Sequence, residues 1–217
     1  MASWSSLDYS GKWKPLHYNM KRAFAPLAIS AAPKWGDPST VEVWAVNDRD
    51  EAFEGTATLD VWTLDGVKKP FATLPTQIAP RSAAKVGEWP IAAFGDGAVR
   101  AASFLRMRLD GRSGSVVEGV SNEWMFDLFM NMNLVKADVK TTFAERNGKF
   151  LVTLEADNPA FFVWANVWGT RGEFDDNSFT LYPAEPRTIT FTPKTPGLAL
   201  EAVKKSFSVT HLRETYR

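Results

Sequence analysis

Most of the chain consists of short runs in which apolar and polar residues alternate, and this period of two constrains the fold more than any other feature. The alternation begins at Leu27 and is clear at Val41, Val43 and Ala45, which are separated by Glu42 and Trp44. A β-strand points successive side chains to opposite faces, so such a run predicts a strand with one buried face. Similar runs predict strands at 56–61, 82–89, 101–109 and 116–130.

A second series of predicted strands follows Asn133. Its clearest signal is Asn147-Gly148, which lies between alternating runs at 137–145 and 149–156. Asn-Gly in this position is the strongest short signal for a β-hairpin. Further strands are predicted at 161–168, 178–181, 188–191 and 207–212, and no segment of helical period is expected to interrupt either series.

The first 26 residues follow another pattern. Pro15 suits the first turn of a helix, and Leu16, Met20 and Phe24 then recur every four residues until Pro26. One short amphipathic helix is therefore predicted. The fold class is all-β, with two tandem immunoglobulin-like β-sandwich domains preceded by this helix. The predicted boundaries are 1–26 for the leading segment, 27–133 for the first sandwich and 134–217 for the second.

Composition and charge exclude several classes of protein. The 217 residues are 45% hydrophobic, carry 25 basic and 25 acidic side chains, and include no cysteine. A disordered chain and a disulfide scaffold are excluded, and the balanced charge argues against a nucleic acid or a membrane surface as partner. The lack of cysteine fits a reducing compartment, although a periplasmic protein can also lack disulfides.

Residues that could carry chemistry do not form a recognisable set. His17 and His211 have no ligand spacing, and Asp175-Asp176-Asn177 lacks the spaced ligands of a calcium loop, so a solvated turn is expected there. Glu123 has no evident partner for the two-carboxylate chemistry of a glycosidase. The glycines at 95–97 and 111–114 do not lead from a strand into a helix, as a phosphate loop would. We therefore expect no catalytic residue, no metal site and no cofactor.

The nine tryptophans leave one alternative function open, because aromatic rings stack on the apolar faces of sugars. Trp44, Trp62, Trp164 and Trp168 fall within strand-like runs and are expected to pack in a core or a junction. Trp35 and Trp89 lie near turns and are the candidates for exposed platforms. A stand-alone carbohydrate-binding sandwich module is the alternative that they would support.

A family resemblance is carried mainly by the leading segment, SWSSLDYSGKWKPLHYNMKRAFAP. It resembles the end of the catalytic domain in β-mannosidases of glycoside hydrolase family 2, where a Trp-rich loop and the last helix follow the last barrel strand. The segments VNDR at 46–49 with EGT at 54–56, and FDDNSF at 174–179 with LYPAE at 181–185, are similar to parts of the accessory domains of the same enzymes.

The resemblance implies that this chain is the C-terminal region of such an enzyme. The parent would hydrolyse terminal non-reducing β-D-mannose residues with retention, both catalytic glutamates would precede Met1, and the chain itself would be inactive. Trp4 would lie near the substrate site of the parent. The implied partners are the missing catalytic domain and, in the parent, an oligosaccharide substrate, and a homodimer through the exposed helix stripe is a further expectation. A β-galactosidase or an exo-β-glucosaminidase of the same family remains an alternative parent.

Overall fold

The computed structural model describes residues 5–112 and 120–216, and these form two compact units. One unit is Ala23–Leu134, and the other combines the N-terminal segment up to Arg22 with the residues from Val135 onward. The first element of the chain is helix α1 (Pro15–Ala23), which begins at the proline predicted to start it. Each unit contains one β-sandwich.

The sandwich of the first unit has seven strands in two antiparallel sheets. One sheet has the order β1-β2-β5 and the other β4-β3-β6-β7, and the five-residue helix α2 (Gly97–Ala101) precedes β6. The strands are β1 (Leu27–Lys34), β2 (Asp37–Asn47), β3 (Phe53–Thr63), β4 (Lys68–Ile78), β5 (Ser82–Pro90), β6 (Ser103–Gly111) and β7 (Val120–Met125).

The predicted alternation on β2 identifies residues that lie in the core of this unit. Val41, Val43 and Ala45 on β2 are fully buried and pack with Leu59 on β3 and Met107 on β6. The residues between them on β2 therefore face away from the core. Burial of such side chains, worth about 1.5–3 kcal/mol for each large apolar residue, holds the two sheets together.

The second unit repeats this plan with a three-stranded sheet, β12-β10-β14, and a four-stranded sheet, β11-β13-β9-β8. At the predicted hairpin between β8 and β9, Asn147 and Gly148 both have positive φ, 52° and 71°, as a type I′ turn requires. The elements are β8 (Val139–Arg146), β9 (Lys149–Ala156), β10 (Ala160–Val167), β11 (Gly172–Phe174), β12 (Phe179–Leu181), β13 (Arg187–Pro193), α3 (Leu200–Ser206) and β14 (Phe207–Thr210).

The all-β class with two tandem immunoglobulin-like sandwiches is confirmed, and three details of the prediction are wrong. The second series is interrupted by α3, and the first by α2, because helices of seven and five residues are too short to show a helical period. The strand expected at 116–130 ends at Met125 and is followed by a 3₁₀ turn at Phe129–Asn131, while residues 113–119 lie outside the described part. In the part of the chain that is described, no helix has the length and apolar character needed to cross a membrane.

Candidate functional site: the docking site of helix α1

The segment before α1 forms a tight turn that leads the chain into the helix. Leu7 and Trp13 pair as an isolated antiparallel bridge, and Gly11 adopts a φ of 80° between them. One carboxylate oxygen of Asp8 accepts hydrogen bonds from the Ser10 hydroxyl, the Lys12 amide and the Ser10 amide, each at 2.8 Å. These bonds lower the pKa of Asp8, so the ionised carboxylate fixes the turn at neutral pH.

Tyr18 is the residue of α1 that is buried against the second sandwich. Its side chain is 3% exposed, and its hydroxyl donates to the Phe174 carbonyl at 3.2 Å. The ring packs edge-on against Trp13 and Trp164, with centroid distances of 5.0 and 5.9 Å. Burial, supported by the nearby carboxylates of Glu173 and Asp176, raises the pKa of Tyr18 to about 12. The phenol therefore stays neutral and remains a donor.

Arg22 holds the other end of the helix. One guanidinium nitrogen, Nη1, donates to Asp176 Oδ1 at 2.7 Å and to the Asn177 carbonyl at 3.1 Å. The other, Nη2, donates to Asn19 Oδ1 at 2.9 Å and to the Ser178 carbonyl. A planar fork of donors satisfies this spread of acceptors as no ammonium can. A cation here also opposes the partial negative charge at the C-terminal end of the helix.

The turn that receives Arg22 is held on the sandwich by its own side chains. Asn177 is 1% exposed and exchanges hydrogen bonds with the Ala165 backbone on β10, accepting at 2.9 Å and donating at 2.8 Å. Asp175 accepts from the Thr190 amide on β13 at 2.8 Å, and Asp176 also pairs with Arg187. The expectation of a solvated turn at Asp175-Asp176-Asn177 holds for Asp175, which is exposed, and is wrong for Asn177, which is buried and carries structural contacts.

A narrow cleft lies between the N-terminal segment and β10. Its walls include Trp13, Tyr18, Trp164 and Asn166, and Lys12 closes it by donating to the Asn166 side chain. The free volume of about 10 Å³ is room for no more than one water molecule. The cleft therefore serves packing and has no space for a sugar ring.

The other residues singled out in the sequence do not converge on a chemical site. Trp4 lies outside the described residues. The ring of His17 is tilted by 58° against that of Trp13, with centroids 4.2 Å apart, and it bonds to the Ser6 hydroxyl, whereas His211 is buried and lies 3.1 Å from the Ala137 carbonyl. Glu123 lies on β7 opposite Arg106 of β6. Within residues 5–112 and 120–216, no three acidic or histidine side chains are grouped so that they could hold a metal ion.

The tryptophans divide differently from the prediction. Trp35 is 99% exposed, as expected. The expectation that Trp89 is an exposed platform is wrong, because its ring lies over Gly87 and contacts Phe71 and Phe94 at 5.5 and 6.5 Å between centroids. Trp168, expected in a core, is 67% exposed because it follows the last residue of β10, and its indole nitrogen donates to the Ser208 hydroxyl at 2.8 Å.

The sequence contained part of the signal for the α1 docking site. The sequence places the basic pair Lys21-Arg22 near the end of the predicted helix and the acidic residues Asp175-Asp176 in a predicted turn. Arg22 and Asp176 are 154 residues apart in the sequence, so no local pattern joins them. The helical periodicity does not single out Tyr18, because it lies off the apolar stripe of the helix.

Comparison with known proteins gives matches along the whole chain. Residues 134–215 match a mannosidase family model described as an Ig-fold domain, and residues 39–122 match one described as a mannosidase Ig/CBM-like domain. The β-mannosidase of Capra hircus is 29% identical over 99% of this chain, and β-mannosidase A of Aspergillus niger is 24% identical over 88%. The β-D-mannosidase structure from Dictyoglomus thermophilum covers 96% of this chain with a TM-score of 0.78 and 25% identity.

The chain spans about a quarter of the length of these proteins, covering 24% of the Capra hircus protein, 21% of the Aspergillus niger protein and 24% of the Dictyoglomus thermophilum chain. The two domain matches follow one another in the order of the two sandwiches. Each of the two sandwiches therefore matches a mannosidase domain, and the chain resembles a fragment of the β-mannosidases of glycoside hydrolase family 2.

Proposed function

We propose that this chain is the non-catalytic C-terminal region of a retaining β-mannosidase that acts on terminal non-reducing β-D-mannose residues. In this proposal, residues 1–26 are the tail of the catalytic barrel, and 27–133 and 134–217 are accessory domains. The observation that carries it is the docking of α1. The helix is joined to the second sandwich through Tyr18 and Arg22, while Leu16 and Met20 stay 51% and 39% exposed.

This arrangement gives α1 two faces with different roles. The face that carries Tyr18 and Arg22 is occupied by the second sandwich. The stripe of Leu16 and Met20 is left for an apolar surface elsewhere in the longer protein. A helix with one face on the second sandwich and the other on the catalytic domain would fix the two domains to each other. Trp4, which precedes this helix in the sequence, would lie near the substrate.

The non-catalytic role is supported by the chemistry that retention requires. A retaining glycosidase needs two carboxyl groups about 5–5.5 Å apart across the sugar. Asp176, the carboxylate at the centre of the docking site, is held between Arg22 and Arg187, and the adjoining cleft has room for at most one water. The reacting carboxylates are therefore assigned to the remaining three quarters of the parent. The β-mannosidase names of the relatives favour mannose over galactose or glucosamine as the sugar.

The test measures turnover with and without the rest of the enzyme. The chain alone, incubated with 4-nitrophenyl β-D-mannopyranoside, is expected to release no nitrophenol above a heat-treated control. The longer protein encoded by the same gene is expected to hydrolyse this substrate and to give β-mannose as the first product, seen by proton NMR. Turnover by the chain alone would refute the non-catalytic role, and first release of α-mannose by the longer protein would refute retention.

A further inference from the structure

The outward face of the β12-β10-β14 sheet, in the second unit, ends at an exposed tryptophan. The inward residues of β10 belong to the core, so Trp164 and Asn166 lie on the opposite, outward face. Trp168 continues this alternation, because its amide donates to the Ser206 carbonyl at 2.9 Å and extends the pairing of β10 with β14 by one residue. Trp164, Asn166 and Trp168 therefore share one face of the sheet.

The docked N-terminal segment covers part of this face. Tyr18 packs on Trp164, and Lys12 donates to Asn166, which is only 5% exposed. Trp168 lies two residues beyond Asn166, about 7 Å further at the rise of a β-strand, and is 67% exposed. The exposed ring is thus continuous with a surface that the N-terminal segment already occupies.

The hydrogen bonds of Trp168 indicate what kind of surface it fits. Its indole nitrogen, the one polar atom of the side chain, already donates to the Ser208 hydroxyl at 2.8 Å. The ring therefore offers only apolar area to a partner, and a buried tryptophan removes roughly 150–250 Å² from water. Because the bond to Ser208 also holds the ring in place, little side-chain freedom would be lost on binding. An apolar pocket on a protein surface is the complement of such a ring.

The course of the chain indicates which protein surface this is. In the function proposed above, the catalytic domain precedes Ser5, and few residues separate its last strand from the segment that lies on this face. A chain spans at most about 3.6 Å per residue, so the catalytic domain is tied close to the face. The chain covers 24% of the Capra hircus relative, which leaves a much larger partner to be placed there. The exposed end of the face is thus within reach of the catalytic domain.

We propose that Trp168 inserts into an apolar pocket of the catalytic domain and forms a second contact with it, separate from the stripe of Leu16 and Met20 on α1. This inference rests on the proposed function, because it takes the catalytic domain as the partner. A single contact through α1 leaves the second sandwich free to turn about the helix. A second contact on a different element fixes its orientation as well.

Hydroxyl-radical footprinting with mass spectrometry tests the proposal on the chain alone and on the longer protein encoded by the same gene, without any sugar present. Oxidation of Trp168 is expected to be about tenfold slower in the longer protein. Trp35, which is 99% exposed and has no part in the proposal, is the internal reference for the chain alone. Met20 is read in the same spectra and reports whether the α1 stripe is covered. In a second measurement, p-benzoylphenylalanine introduced in place of Trp168 is expected to cross-link to peptides of the catalytic domain.

Two results would overturn the inference. One is oxidation of Trp168 at the same rate in both proteins, which is measured without any substitution and so does not depend on the folding of a variant. The other is a cross-link from position 168 to an accessory domain or to a second copy of the protein. If Met20 is protected in an active longer protein while Trp168 stays reactive, the proposed function stands and only this inference fails. A longer protein that does not hydrolyse the mannoside would count against the proposed function, whatever the rate at Trp168.

Discussion

Single buried polar residues decide how the second unit is held together. Asn177 illustrates this, because its side-chain amide accepts from the Ala165 backbone nitrogen and donates to the Ala165 carbonyl, as a neighbouring strand would. A partner lost from such a buried pair leaves a backbone group unsatisfied, at a cost of about 1–3 kcal/mol. Tyr18 belongs to the same class, since its hydroxyl is buried and bonded to the Phe174 carbonyl.

Tyr18 gives a prediction about stability at high pH. Its pKa is raised to about 12 in the folded chain, against about 10 for a tyrosine in an unfolded chain. Below pH 10 both states hold the proton, so its contribution to folding is fully present. Between pH 10 and 12 only the unfolded chain ionises Tyr18, so the free energy of unfolding falls. Urea unfolding at pH 9 and pH 11 is expected to show a larger loss for the unmodified chain than for Tyr18→Phe.

Comparison with Tyr18→Phe isolates the titration of Tyr18, because every other group that titrates at high pH is present in both proteins. Tyr18→Phe is expected to be less stable than the unmodified chain at pH 9, because the substitution removes the hydrogen bond to the Phe174 carbonyl. Its stability is expected to change less when the pH rises to 11. Equal losses of stability in the two proteins would show that Tyr18 ionises as it does in the unfolded chain.

At the scale of elements, the sequence predicts a strand well where independent local signals agree. The β8–β9 hairpin was predictable because turn chemistry and alternation agree at Asn147-Gly148. Strand β4 was not predicted, since Pro70 and Pro75 interrupt its run. Those prolines are tolerated because β4 is at the edge of its sheet, where a missing N–H breaks no ladder. Edge position is a property of the folded sheet, so the sequence alone does not reveal it.

The same reasoning applies to the α1 docking site. The helix itself was predictable from Pro15 and from the apolar stripe. Its attachment was not, because Arg22 and Asp176 come together only when the second sandwich has formed. The stripe drew attention to Leu16 and Met20, whereas the buried contact is made by Tyr18 on another face.

Docking of α1 should depend on the fork of Arg22. The four hydrogen bonds described above belong to a partly exposed guanidinium, so Arg22→Ala is expected to weaken docking by about 1.5–3 kcal/mol, roughly ten- to a hundredfold in the docking equilibrium. Hydrogen exchange of the amides in α1 should accelerate accordingly. Arg22→Lys is expected to recover only part of the protection, because an ammonium reaches fewer of these acceptors.

Arg112→Ala provides the matched control for that experiment. It also removes an arginine from an ion pair, with Glu54, but both side chains are largely exposed, at 78% and 49%. Exchange in α1 should not change in this variant. Protection that survives in Arg22→Ala would instead assign the docking to Tyr18 and its aromatic neighbours.

For the molecule as a whole, the surface that remains open on α1 predicts self-association. Leu16 and Met20 are 51% and 39% exposed on the helix, and apolar side chains exposed in a stripe favour a second surface that removes them from water. If the catalytic domain lies outside this chain, as proposed, a second copy of the chain is the available partner. Sedimentation velocity over rising protein concentration is therefore expected to show a growing dimer fraction for the unmodified chain.

The double variant Leu16→Ser, Met20→Ser is expected to reduce that fraction without unfolding the helix, because neither side chain contributes to the buried contact of Tyr18. Val67→Ser with Val99→Ser serves as the control, since these residues are also exposed, at 52% and 39%, but lie in the other unit. If both pairs reduce the dimer equally, general surface hydrophobicity drives association. If only the helix variant does so, α1 carries the interface, and the longer protein, whose catalytic domain would cover that stripe, should stay monomeric at concentrations where the chain alone dimerises.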